Sequence, residues 1–177
     1  MVNIKEALDA AGGDEEKAVE LLRKKGQDKA LKKAGRETKE GVVVSYIHSN
    51  KKVGAMVKLY CETDFVGRNE EFQELAKDIA MQVVASDPKV LRPEDVSVEL
   101  VAKEKEIWTE QLKNEGKPEA MLSKIMAGKE EKFRNELALL TQPFIKEPKV
   151  TIDDIIKEKI GKIGENIQVG EFVRFEL

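Results

Sequence analysis

Cysteine and histidine are almost absent from the 177-residue sequence, which holds only Cys61 and His48. A single cysteine excludes an intramolecular disulfide, as is usual for proteins of reducing compartments. One cysteine and one histidine also cannot supply the four ligands of a structural zinc ion. His48 lies near a predicted turn and Cys61 alternates within a predicted strand, so neither belongs to a nucleophile and base motif. The sequence therefore predicts no catalytic residue, metal or cofactor, and it favours a buried structural role for Cys61.

Long apolar runs and an excess of positive charge are missing as well. The N-terminus, MVNIKEALDAAGGDEEK, is polar where a signal peptide needs an apolar core. No stretch approaches the roughly 20 apolar residues of a membrane span. The 31 Lys and Arg residues are outnumbered by 34 Asp and Glu, and nucleic-acid binding depends on a basic surface. These features predict a cytoplasmic protein that binds neither membrane nor nucleic acid directly.

The first 35 residues predict a small helical module. Apolar residues at helical spacing are interrupted by glycine, so three short helices are expected. Their boundaries are the pair Gly12 and Gly13, then Gly26, then Gly35. Asp14 is placed to cap the second helix. The polar residues 36–41 that follow indicate a linker.

From residue 42 onward the pattern predicts an α+β fold. Two segments rich in β-branched residues, 42–48 and 53–62, indicate a β-hairpin. Helical periodicity predicts helices over 69–86, 97–115, 118–140 and 151–159. Pro143 and Pro148 bracket an expected irregular segment, and the last strand covers 165–177 with a bulge or bend at Gly170. The expected architecture is a small antiparallel sheet with helices packed on one face.

One short segment, Thr63-Asp64-Phe65-Val66, stands between a predicted strand and the helix that Asn69 is placed to cap. Two interpretations of it stay open. In the first, Asp64 caps a turn and Phe65 packs onto the core of its own domain. In the second, Phe65 points outward from a rigid platform and anchors a partner protein, where its burial would contribute about 2 kcal/mol.

Around this segment and along almost the whole chain, the sequence resembles elongation factor Ts, the guanine nucleotide exchange factor for the translational GTPase elongation factor Tu. The resemblance is carried by KEALDAAGGDEEKAVELLRKKG, CETDFVGRNEEFQELAKDIAMQV, NEGKPEAMLSKIMAGKEEKF, LLTQPFIKEPKVTIDDIIKEKIGKIGENI and the closing FVRFEL. So extensive a match is specific to the family. It favours the outward interpretation of Phe65.

The resemblance implies a particular domain organisation. A ubiquitin-associated-like helical module would occupy residues 1–35, a linker 36–41, and an α+β core or dimerisation domain 42–177. Family members carry one more helix before the segment that matches residues 1–8, so the module is expected to lack its first helix. The length matches short forms with a single core module. Such forms can pair through their core sheets, which makes a homodimer one expectation.

The resemblance also implies a mechanism. In the family, the loop matching Thr63 to Val66 docks against the GDP-bound GTPase, and its phenylalanine wedges between two helices and shifts the groups that position magnesium. Phe65 would be the wedge, Asp64 a polar contact, and Thr63 and Val66 the residues that fix the loop. Magnesium contributes much of the GTPase's hold on GDP, so displacing it promotes GDP release. Such a factor changes no covalent bond and is not an enzyme.

Two other functions stay open on the residues alone. A helical adapter could bind RNA or the ribosome through lysines of the first module, and its binding would then depend steeply on salt. These lysines are Lys24, Lys25, Lys32 and Lys33. A structural protein could instead do no more than dimerise through its sheet. Sedimentation with and without the GTPase would separate that function from nucleotide exchange.

Overall fold

A computed structural model describes residues 2–115 and 119–177, and it confirms the predicted α+β fold. Contacts divide the chain into two compact units, residues 1–84 with 153–177 and residues 85–152. The first unit contains α1 (Val2–Ala10), α2 (Glu15–Lys33), β1 (Glu40–Ile47), β2 (Val53–Cys61), α3 (Asp64–Gly67), most of α4 (Glu70–Ser86) and of α7 (Ile152–Ile163), and β5 (Gln168–Glu176). The second contains α5 (Val98–Asn114), α6 (Glu119–Leu137), β3 (Pro143–Phe144) and β4 (Glu147–Thr151). No helix in the described ranges is long and apolar enough to cross a membrane.

The N-terminal helices depart from the sequence prediction at one glycine. Asp14 caps α2 as predicted, because the backbone N–H of Lys17 donates to its Oδ1 at 3.1 Å. The prediction that Gly26 ends this helix is wrong, since α2 continues to Lys33 and absorbs the predicted third helix. A glycine usually ends a helix by taking a left-handed conformation, and Gly26 does not take one. It lies instead against α7, where a Cβ built on Gly161 would be 3.2 Å from the Gly26 Cα.

The sheet of the first unit has three antiparallel strands in the order β1-β2-β5, which confirms the predicted hairpin. Burial alternates along the central strand. Its buried side chains are Ala55, Val57, Leu59 and Cys61. The register of β2 against β5 shifts between Val57 and Leu59, where Val57 pairs with Phe172 and Leu59 with Val169, which confirms the bulge or bend predicted at Gly170. A Cβ built on Gly170 would lie 2.4 Å from the Tyr60 ring, so this close approach requires glycine.

Helix α4 confirms the amphipathic helix predicted after the 63–66 segment. Its buried side chains include the predicted apolar set Phe72, Leu75, Ala76, Ile79 and Val83. Arg174 of β5 donates through Nε to the backbone oxygen of Val84 at 3.2 Å. This bond ties the last turns of α4 to the edge strand of the sheet.

Gly41, at the start of β1, occupies a position that only glycine fits. Its φ is +156°, and a Cβ built on it would lie 2.2 Å from the carbonyl oxygen of Leu59 in the central strand. We expect Gly41→Ala to lower the free energy of unfolding by about 1–3 kcal/mol, because that backbone cannot move aside without breaking the sheet. Urea denaturation measures the change.

A matched glycine substitution should have the opposite sign. Gly26→Ala adds a Cβ in the interior of α2 with no neighbour within 4 Å, so it should raise the free energy of unfolding by about 0.5–1 kcal/mol. If Gly41→Ala leaves the unfolding transition unchanged or raises it as Gly26→Ala does, the close approach at Gly41 is wrong.

The second unit is built on the helix pair α5 and α6. Ser97 caps α5 by accepting the N–H of Leu100 on its Oγ at 3.2 Å. Trp108 and Phe133 meet edge to face, with ring centroids 5.6 Å apart. The glycine and proline predicted to end one helix and begin the next, residues 116 and 118, lie outside the described residues.

The segment from Pro143 to Pro148, predicted to be irregular, instead forms an antiparallel hairpin. Strands β3 and β4 pair there, with Pro143 opposite Thr151. Short strands tolerate proline at their ends, where no ladder hydrogen bond needs its missing N–H. Buried Phe144 and Val150 anchor the hairpin. The tertiary burial of these two side chains outweighs the local proline signal.

Helix α7 is longer than the predicted 151–159 segment. It reaches Ile163, and Gly161 lies inside it. The helix ends at Gly164, whose φ is +92° and whose N–H donates to the oxygen of Ile160 at 3.0 Å. This left-handed glycine leads the chain into the segment before β5.

Candidate functional site

The 63–66 segment forms a single helical turn, α3, between the central strand and α4. Thr63 is its N-cap and accepts the N–H of Val66 on Oγ1 at 3.5 Å. Asn69 caps α4 as predicted, because the N–H of Glu71 donates to its Oδ1 at 2.8 Å. Two successive caps therefore constrain the backbone between the strand and the helix.

Phe65 points away from the fold at the tip of this turn. It is 79% exposed, more than any other phenylalanine of the chain. Asp64 and Thr63 beside it are exposed and Val66 is half-buried. The carboxylate of Asp64 pairs with Nη2 of Arg68 at 3.0 Å. Phe65 therefore does not pack onto its own core, and the turn is capped by Thr63 rather than by Asp64.

Cys61 lies directly behind the turn. It is fully buried, and its Sγ donates to the backbone oxygen of Thr63 at 3.1 Å. Burial, followed by the nearby Glu165 carboxylate, raises the pKa of the Cys61 thiol to about 11. Only a thiolate is a good nucleophile, so this thiol is unreactive near neutral pH. The predicted structural role of Cys61 is confirmed.

The described residues offer no site for a bound metal ion. Nowhere in 2–115 and 119–177 do three or more His, Cys, Asp or Glu side chains come together in an arrangement that could hold one. What distinguishes the turn is therefore its exposed ring and the polar groups around it.

Two glutamates hold the turn from behind, and sequence reasoning missed both. The carboxylate of Glu165 accepts the N–H groups of Glu62 and Thr63 on Oε2, at 3.1 and 3.0 Å. Its Oε1 accepts the Thr63 hydroxyl at 2.6 Å. In return, Glu62 Oε1 accepts the backbone N–H of Asn166 at 2.6 Å. The partners are more than 100 residues apart, so no local spacing could reveal them.

The lysines proposed for RNA binding are mostly engaged within the protein. Lys24 pairs with Glu20 at 2.8 Å, and Lys25 lies 3.8 Å from a carboxylate oxygen of Glu6. The Lys33 ammonium donates to the backbone oxygen of Gly164. Lys32 lines an open groove together with acidic side chains of α2 and α7. The groove around Lys32 therefore carries charges of both signs.

Comparison with known proteins identifies a family. Residues 6–177 match a family model described as Elongation factor TS. The chain is 54% identical over all 177 residues to Elongation factor Ts of Solidesulfovibrio magneticus, covering 88% of that protein. The same identity and coverage hold for Elongation factor Ts of Thermodesulfovibrio yellowstonii. The chain is 52% identical over all 177 residues to Elongation factor Ts of Carboxydothermus hydrogenoformans, covering 82% of that protein.

Proposed function

Because this chain belongs to the elongation factor Ts family of translation elongation factors, whose role is nucleotide exchange, we propose that it binds GDP-bound elongation factor Tu and promotes GDP release. The observation that carries the proposal is the exposed ring of Phe65 on a doubly capped turn. An exposed aromatic side chain on a rigid platform is the type of group that anchors protein interfaces.

The proposed mechanism assigns one role to each residue of the turn. Phe65 enters a pocket between helices of the GTPase and displaces the groups that position magnesium. Asp64 supplies a polar contact at the edge of that pocket, and in the free protein its carboxylate pairs with Arg68. Thr63 and Val66 fix the turn through the N-cap hydrogen bond. Loss of the magnesium contacts weakens the hold on GDP, because the ion neutralises phosphate charge.

Exchange then follows from thermodynamic reciprocity. A factor that weakens nucleotide binding is itself bound more weakly when nucleotide returns, and each 1.4 kcal/mol of this coupling is about tenfold in affinity. GTP entry therefore releases the factor. No covalent bond changes, so the protein is not an enzyme, and its proposed location is the cytoplasm. The proposed domain division stays that of the sequence: a helical module over 1–35, a linker over 36–41 and a core over 42–177.

A release assay tests the proposal directly. Elongation factor Tu loaded with labelled GDP is mixed with excess unlabelled nucleotide, with and without substoichiometric amounts of the chain. We expect loss of label to accelerate and each molecule of the factor to act on many GTPase molecules. An unchanged rate at every concentration of the factor would mean that the chain does not act on this GTPase.

We also propose that the chain pairs with a second copy through the open face of its three-stranded sheet. Support comes from large apolar side chains that all three strands leave exposed: Val43, Ile47, Met56, Val173 and Phe175. Met56 lies opposite Ser45 on one side and Val173 on the other, in the middle of this face. Covering these side chains with an identical face would remove them from water on both copies.

A further inference from the structure

We infer that Glu165 is a positioning residue for Phe65, an inference that rests on the proposed function. Its half-buried carboxylate accepts three hydrogen bonds from two consecutive residues, Glu62 and Thr63. Both carboxylate oxygens are used. Because Thr63 is the N-cap of α3, a side chain 102 residues further along the chain orients the turn that carries the exposed ring.

The Thr63 hydroxyl shows how this control operates. A hydroxyl has one proton to donate and lone pairs to accept. Its proton goes to Glu165 Oε1 at 2.6 Å, which directs the lone pairs towards the N–H of Val66 at 3.5 Å. A short bond to a charged oxygen is much stronger than a long bond between neutral groups. Glu165 therefore fixes the rotamer of Thr63, and that rotamer makes the cap.

Glu165 is itself held in place from both sides. The oxygen of Gly164 accepts a hydrogen bond from the Lys33 ammonium. On the other side, Asn166 is 2% exposed and donates through Nδ2 to the oxygen of Arg36 at 2.8 Å. Its backbone N–H donates to the Glu62 carboxylate. The segment from 164 to 166 thus joins the end of α2, the linker and the Phe65 turn, and we call it the clasp.

The clasp has a consequence for nucleotide exchange. A turn that is already ordered docks without an ordering cost, whereas a loosened turn must be ordered as Phe65 enters its pocket. In Glu165→Gln an amide N–H₂ group replaces one acceptor oxygen, and it faces N–H or O–H donors. We expect this variant to accelerate GDP release about tenfold less than the unmodified chain at a low concentration of the factor.

The test compares four proteins in the GDP-release assay: the unmodified chain, Glu165→Gln, Phe65→Ala and the double variant. If Glu165 acts through Phe65, Glu165→Gln changes the rate by no more than about twofold once the ring is absent. A full tenfold loss in both backgrounds would overturn the inference, because the carboxylate would then act elsewhere. The matched control is Glu136→Gln. Glu136 is an exposed carboxylate on α6 that pairs with Lys132, so this variant should promote GDP release as the unmodified chain does.

A second measurement needs no partner and separates the inference from the proposed function. Hydrogen exchange of the Glu62, Thr63 and Val66 amides should be at least about tenfold faster in Glu165→Gln, with buried strand amides unchanged. Unaltered hydrogen exchange at these amides would overturn the inferred positioning role of Glu165 even if the chain acts on the GTPase. Should the chain have no effect on GDP release, the proposed function fails while the amide measurement still decides the structural claim. If Glu165→Gln does not fold, Thr63→Val takes its place in both measurements, because this variant removes only the hydrogen bonds of the Thr63 hydroxyl.

Discussion

Replacing Phe65 with alanine is expected to reduce the acceleration of GDP release from elongation factor Tu by about 30-fold at low concentrations of the factor. Burying a phenylalanine ring contributes about 2 kcal/mol, which corresponds to about 30-fold in a rate or affinity. The ring is exposed in the free protein, so this free energy is gained only when the partner is bound. Phe65→Ala is therefore expected to weaken the complex with the GTPase without lowering the stability of the fold.

Graded and matched variants make this prediction specific. Phe65→Leu retains much of the apolar surface and should give an intermediate rate. Ile107→Ala removes a half-exposed apolar side chain from α5 and should exchange normally. Thermal melts of all three should agree closely with the unmodified chain, because exposed positions change the free energy of unfolding by no more than about 0.5 kcal/mol. Normal exchange by Phe65→Ala would show that the ring is not the wedge.

Most of the fold could be predicted because the relevant signals are local. Segments rich in β-branched residues located the hairpin, helical periodicity located α4, and a capping residue marked the starts of α2 and α4. The errors occurred where a tertiary contact overrode the local sequence signal. Gly26 indicated a helix end, but the helix passes through it because α7 packs closely there. The Pro143 to Pro148 segment indicated irregular structure, but buried side chains hold it as a hairpin.

The candidate site, too, could be predicted where its signals are local and not where they depend on tertiary contacts. The Thr63 to Val66 segment could be found from sequence, since its position between strand and helix and its similarity to the family both lie within a few residues. The direction of the Phe65 ring could not be decided by spacing, because an inward and an outward ring have the same pattern. Glu165 could not be found at all, since its partners Glu62 and Thr63 lie 103 and 102 residues away along the chain. Only the fold brings these carboxyl and amide groups together.

The other large effect is expected at the open face of the sheet. Met56→Glu places a carboxylate at the centre of that face, between Ser45 of β1 and Val173 of β5. In a two-fold pair the substitution occurs twice, and each charge is buried without a partner. Since an unpaired buried charge costs about 3–5 kcal/mol, we expect self-association to weaken at least about a hundredfold. Met56 is 47% exposed in one copy, so the isolated fold tolerates the change.

Sedimentation velocity over a range of micromolar concentrations measures this effect. The unmodified chain should sediment as a dimer and Met56→Glu as a monomer of unchanged melting temperature, whereas Met56→Leu should still pair because it keeps the face apolar. Ile107→Glu adds the same charge to α5 and should leave the dimer intact. If the unmodified chain is monomeric throughout this range, the proposed pairing is wrong. A dimer that survives Met56→Glu would have to use another surface, because two unpaired carboxylates at the centre of a dry sheet interface would separate the copies.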